Sequence, residues 1–284
     1  MAAKQGAIVA AWGERDETTG IYQLHVASHE ETGWRHLGEP YDTQAKYVRF
    51  TMTLDSSGRH VIAWEGMPTE TGKAVRVIRW NGTQWLPLGE ALSANPASGA
   101  SSYRPALAVD DEVLVSWLEA SAATGATHLY VRMYLAGGWA PVGASVPIHE
   151  GAVAERTGIA FERDRGAVLA WAEHRPSNSV STLRFSSIDN WNGGSHWSTP
   201  EAIEVLSTTT TFQSFRLVMD GHDEPWLAWT EYPAFEGIRN YYRRRRAKAW
   251  EPKQLISPGE LSAFLVDESA FPWALSGMTV VRPQ

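Results

Sequence analysis

Short runs of apolar residues, each closed by a tryptophan, return along this chain at nearly constant distance. AIVAAW, HVIAW, EVLVSW, AVLAW and PWLAW end at Trp12, Trp64, Trp117, Trp171 and Trp229, with separations of 52, 53, 54 and 58 residues. A second series, Trp34, Trp85, Trp139, Trp197 and Trp250, follows the first by 22, 21, 22, 26 and 21 residues. Its setting is WRHLG, WLPLG and WAPVG, degraded to WSTPE and WEPKQ in the later copies. Upstream of each later run lies another apolar segment closed by an Asp-bearing turn, as in FTMTLDSSG, ALAVDDE and RLVMDGHDE. A sixth copy, PWALS, puts Ser276 in the tryptophan place. A fixed period of this size is the mark of a repeat architecture.

One repeat holds four short strands. Strand A precedes the Asp turn, as in Ala106–Val109; B ends in the first tryptophan; C alternates, as in VRVIRW and LYVRMY; D carries the second tryptophan. Runs rich in Val, Ile, Tyr and Trp, bounded by Gly, Asp, Asn and Pro, are strand signals. No segment keeps a helical apolar face over several turns. Four-stranded units of this length, repeated radially, predict an all-β fold, a β-propeller. Six blades are expected, with five as the alternative. One blade is incomplete or closed by both termini, because the chain enters its first unit at strand B. The units fall at about 1–38, 45–90, 102–144, 154–202, 211–256 and 261–284 of one domain. The frame of Asp turn, A-W-x-E, alternating strand and W-x-x-L-G resembles the Trp-rich propeller repeats of bacterial sialidase-like and lectin-like proteins. Sialidase Asp-boxes, S-x-D-x-G-x-x-W, are not reproduced, since Leu54-Asp55-Ser56-Ser57-Gly58 sets the turn elsewhere.

Composition narrows the function. With no cysteine, thiolate metal sites, disulfides and cysteine nucleophiles are excluded. A net charge of −7 speaks against sequence-independent nucleic-acid binding, which needs a basic surface. No apolar run reaches the ~20 residues that span a bilayer, and Met1 to Trp12 lacks a secretory signal pattern, so a soluble or cytoplasmic chain is expected. No P-loop, G-x-S-x-G, G-x-G-x-x-G or H-E-x-x-H motif occurs; no cofactor and no metal are expected.

The B-to-C and D-to-A connections are the long ones and share one end of each blade, so that end is the expected functional face. Two charged series reach it. Glu14, Glu119, Glu173 and Glu231 stand at W-x-E, with Glu65 one place earlier; Arg49, Arg104, Arg156 and Arg216 open the A strands. The arginines are expected to ring the channel mouth, where guanidinium groups would bind a small anion, with Tyr47, Tyr103 and Phe212 stacking on a sugar. The competing reading, which carries more weight, is an inter-blade Arg–Glu brace, because a feature present in every blade serves the fold. Trp80, Trp191, Trp226 and Trp273 fall outside the two series and are ligand suspects, although the core competes for the last two. Arg243–Arg246 is expected to form a solvated face, with an anionic partner as the minority reading.

Three functions compete. A lectin-like module that takes a glycan or small anion fits the resemblance and the absence of a catalytic motif. The resemblance also implies a sialidase-type glycoside hydrolase, supported by Phe215-Arg216-Leu217-Val218; Tyr232 or Tyr241 beside Glu231 would supply the nucleophile, and Asp16 or Asp42 the acid. The third is a protein-interaction scaffold. The balance leans away from an enzyme.

Overall fold

The structure, a computed structural model, describes residues 2–4, 7–67, 73–94, 101–121, 124–162, 166–189, 196–206, 210–233, 237–259, 261–267, 269–276 and 279–281. Among them there is no helix. The chain divides into two compact units, Met1–Pro147 and Ile148–Gln284, each with three antiparallel sheets. This is a six-bladed β-propeller, as the repeats predict.

In the first unit, blade one runs Ala2–Lys4, Ala7–Arg15, Tyr22–Glu30 and Gly33–His36; blade two, Val48–Leu54, His60–Gly66, Ala74–Trp80 and Trp85–Pro87; blade three, Ser101–Val109, Val113–Ala120, Thr127–Leu135 and Gly138–Pro141. In the second, blade four runs Val153–Glu162, Gly166–Arg175, Val180–Ile188 and Glu201–Leu206. Blade five is Thr210–Met219, Pro225–Pro233, Arg239–Arg246 and Ala249–Trp250; blade six is Leu261–Val266, Pro272–Ser276 and Thr279–Val281. Two details differ from expectation. Blade one has its own A strand, Ala2–Lys4, ahead of strand B. Trp197 precedes strand D of blade four instead of lying in it.

The B-strand tryptophans seam blade to blade. Trp64 packs with Val9, Leu24 and Val26 of blade one, Trp117 with Val61, Ala63 and Val77 of blade two, and Trp229 with Ala170, Leu183 and Phe185 of blade four. These three and Trp171 are at most 1% exposed, each burial worth roughly 2–3 kcal/mol. Trp12 departs from the pattern at 38% exposed. It stacks on His25 of its own blade, 5.2 Å between centroids, and its blade has no earlier blade in its unit to cover it.

The W-x-x-L-G frame has a mechanical reason. The D-strand indole N–H donates to the leucine carbonyl of the preceding blade's L-G: Trp85 to Leu37, 3.0 Å, and Trp139 to Leu88, 2.6 Å. The glycine then turns the chain at positive φ (Gly89, +68°), where a Cβ would lie 3.0 Å from the Trp139 ring. In blade five the degraded WEPKQ copy finds a substitute, Trp250 donating to the Glu201 carboxylate of WSTPE at 3.1 Å.

The Asp turns are self-capping. Asp220 accepts the amides of His222 and Glu224 and the Trp226 indole at 2.9 Å; Asp267 accepts the amides of Ser269 and Phe271 and the Trp273 indole at 2.9 Å. Trp226 and Trp273 are therefore committed to turns, which removes them as ligand suspects, and Trp191 lies outside the described residues. The solvated face expected of Arg243–Arg246 is corrected for its first three residues, while Arg246 is exposed. Arg243 pairs with Glu204 and Arg245 with Glu201, while Arg244 meets Asp220 and Glu224 and lies over the Trp226 ring. A strand with an acidic neighbour on each face has no need of solvent on either.

Candidate functional site

Strand parity decides where the charged series point, because cross-strand partners share a face of the sheet. Arg156 lies opposite Ala172 and Arg216 opposite Ala228, each one place from the B-strand tryptophan. The W-x-E glutamates stand two places from it, on the tryptophan side. Within blades four and five, the arginine and the glutamate thus occupy opposite faces of their own sheet.

Those glutamates are tied elsewhere. Glu119 accepts from the Trp117 indole, the Ala94 amide and the Ser102 hydroxyl. Glu173 accepts from Trp171 at 2.8 Å, His149 and Arg184; Glu231 accepts from Trp229 at 2.9 Å and from Lys253 at 2.8 Å. Burial opposes the charge of Lys253, but Glu231 and Glu204 hold its pKa above the ordinary lysine value. Glu14, in contrast, is exposed and lies 3.4 Å from His25. Arg216 donates to the carbonyls of Phe215 and Ser262, and desolvation lowers its pKa. Phe212 is 3% exposed within the core, so it has no ring face for a ligand.

Blade two breaks the frame, and this brings the nominated residues together. Its glutamate follows the tryptophan directly, so Glu65 lies opposite Arg49 on the face away from Trp64. Glu65 is 1% exposed and accepts from the Tyr47 hydroxyl and from the backbone amide of Arg104. That amide is presented by a bulge between Tyr103 and Ala106, with Arg104 at φ +57°. Lys73 stands 5.4 Å from the centre of the Tyr47 ring. Burial raises the pKa of Glu65, against the pull of Arg49, Lys73 and Tyr47. Burial also raises that of Tyr47. At the tryptophan-side place, where other blades have glutamate, blade two has Gly66; a Cβ there would lie 2.9 Å from that of Ala45. The Trp64 indole N–H accordingly has no partner among the described residues.

The hydrolase nominations are divided between the two units, and each has its own surroundings. Asp16 caps its own turn, accepting the Thr19 amide at 2.7 Å and its hydroxyl, and these bonds lower its pKa, the wrong direction for a general acid. Asp42 accepts the Gln44 amide. Tyr232 is exposed on the face opposite Glu231, and Tyr241 lies beneath the Lys253 ammonium.

A second feature lies at the other end of the first two blades. A cavity of about 410 Å³ opens between them, lined by Val9, Leu37, Leu54, Trp80 and polar groups that include Arg35, Arg59, His60 and Asn81. Sequence reasoning passed over His60 and Lys73. His60 carries a signal: four places before the B-strand tryptophan, the other later blades have Val113, Ala167, Pro225 and Pro272. Its imidazole is 9% exposed with neither nitrogen bonded among the described residues, and burial lowers its pKa although Asp55 pulls upward. Because the folded value lies below the ordinary 6.5, the folded state binds fewer protons than the unfolded chain as pH falls. This contribution to stability is whole above pH 6.5 and wanes below it. Melting temperatures taken from pH 7.5 downward should therefore fall less steeply in His60→Phe than in the parent; equal slopes would refute the assignment.

No protein-family model and no curated protein matches the chain. Solved structures do match in fold. The α-L-arabinofuranosidase of Fusarium graminearum, in complex with an iminosugar inhibitor, superposes with TM-score 0.60 at 10% identity over 100% of this chain and 90% of its own. The α-L-arabinanase of Penicillium chrysogenum complexed with arabinobiose gives 0.57 at 12% over 82% and 75%. A Hadza microbial sialidase gives 0.56 at 10% over 99% and 63%. The chain has the fold of glycan-acting propellers. Among the described residues no helix is long and apolar enough to cross a membrane.

Proposed function

We propose that this protein is a carbohydrate-binding propeller of lectin type, whose ligand sits on the loop-rich end of blades two and three. The observation that carries this reading is the convergence on Glu65. One buried carboxylate gathers Tyr47, Arg49, Lys73 and the Arg104 amide, leaving an exposed guanidinium beside an aromatic ring. Cationic groups outnumber the single acid, which favours an acidic sugar or another small anion. The glycan-acting neighbours support the ligand class. A Tyr–Glu pair beside arginines also supports a sialidase-like hydrolase as a second reading. Against it, Tyr47 is held above its ordinary range, the opposite of an activated nucleophile. A protein-interaction scaffold is what remains if both fail.

A glycan array with a parallel fluorogenic sialoside assay tests this. Binding to acidic glycans, weakened about tenfold by Arg49→Ala, is expected. Turnover that disappears in Tyr47→Phe would replace the lectin reading with the hydrolase, and silence in both assays would end both.

A further inference from the structure

We propose that the cavity between blades one and two is a second ligand site, for a neutral, hydroxyl-rich ring of monosaccharide size. Its volume, about 410 Å³, lies at the small end of ligand pockets. Charge in the lining is already balanced: the Arg35 Nε donates to Glu30 at 2.6 Å and the Arg59 Nε to Asp55 at 2.6 Å. What remains of each guanidinium is its outer nitrogens, donors without a net demand for an anion. Asn81 is similarly half used. Its Oδ1 accepts the amides of Thr83 and Gln84 and the Thr83 hydroxyl, so the Nδ2 is the group left to offer.

The same lining has an apolar part, from Val9, Leu37, Leu54 and the half-buried Trp80. A pyranose or furanose has matching parts, an apolar C–H surface and a rim of hydroxyls. His60 belongs to the same lining, but both of its nitrogens are closed to solvent and unbonded among the described residues, so the hydrogen bonds to the ring come from Asn81 and the guanidinium groups. The loops leave the mouth clear, because a Cβ at Gly58 or Gly82 would meet nothing within 4 Å. This site is separate from the one at the loop-rich end and does not depend on it.

The test is saturation-transfer NMR and calorimetry on the full chain with D-glucose, D-galactose and L-arabinose. At least one sugar should bind, and Asn81→Asp should weaken it about tenfold, since it keeps the turn acceptor but loses the outward donor. Trp80→Phe, which retains an aromatic ring against Trp85, should weaken binding as well. Melting temperature, read alongside, separates lost binding from lost folding. Three results would overturn the proposal: no transfer from any of the sugars, binding unchanged in both variants, or binding abolished by Arg49→Ala. The last would assign the sugar to the loop-rich end.

Discussion

Replacing Trp117 with alanine should cost about 3–5 kcal/mol, the range for truncating a buried aromatic, because four interactions are lost together. Its ring is wholly buried in the seam with blade two, stacks on Tyr130 at 5.6 Å and lies under the Arg132 guanidinium at 5.7 Å. Its indole N–H also donates to Glu119, a carboxylate only 3% exposed. Denaturant titration of the first unit's fluorescence and of the whole chain's circular dichroism would measure the loss. Trp12→Ala is the internal control. With 38% of its surface exposed, Trp12 should cost about 1 kcal/mol, an ordinary surface-to-intermediate value. Equal losses at the two positions would mean that the seam is not where stability resides.

Glu173→Ala should be comparably damaging for an electrostatic reason. The carboxylate is 3% exposed and accepts from Arg184 at 3.0 Å, His149 at 3.1 Å and the Trp171 indole at 2.8 Å. Deleting it strands a guanidinium that is only 15% exposed, and breaking such a pair from one side typically costs about 3–5 kcal/mol. Glu173→Gln retains an acceptor for the indole and should fall between parent and alanine. Adding Arg184→Met to Glu173→Ala should recover part of the loss, because the stranded charge is gone. If the double variant is no better than the single one, the damage comes from packing and the ion pair contributes little.

Both effects return to what could be read in advance. The strand alternation of VRVIRW and LYVRMY and the Asp turns survive in the fold because each depends on neighbours a few residues away, and the tryptophan period survives because successive blades repeat the same contact with the blade before. The sequence also showed that Glu65 stands one place out of register. It could not show the consequence, since the meaning of that place depends on which residue of Val48–Leu54 lies across from it. The placing of the arginines turns on the same register: Arg156 and Arg216 lie on the opposite face of their own sheets from Glu173 and Glu231, whereas Arg49 lies across from Glu65.

The two candidate sites divide along this line. From the sequence alone came the fold class, the end of the blades with long connections, and Glu65 with three of the residues now found around it, Tyr47, Arg49 and Arg104. Tertiary structure alone decided that Lys73 joins them, that a bulge at Arg104 turns a backbone amide toward the carboxylate, and that Phe212 is lost to the core. It also decided that His60 faces a cavity without a hydrogen-bond partner among the described residues. Period and alternation are properties of the chain. Register across strands and the satisfaction of a buried nitrogen depend on residues brought together from other strands, and only packing supplies those.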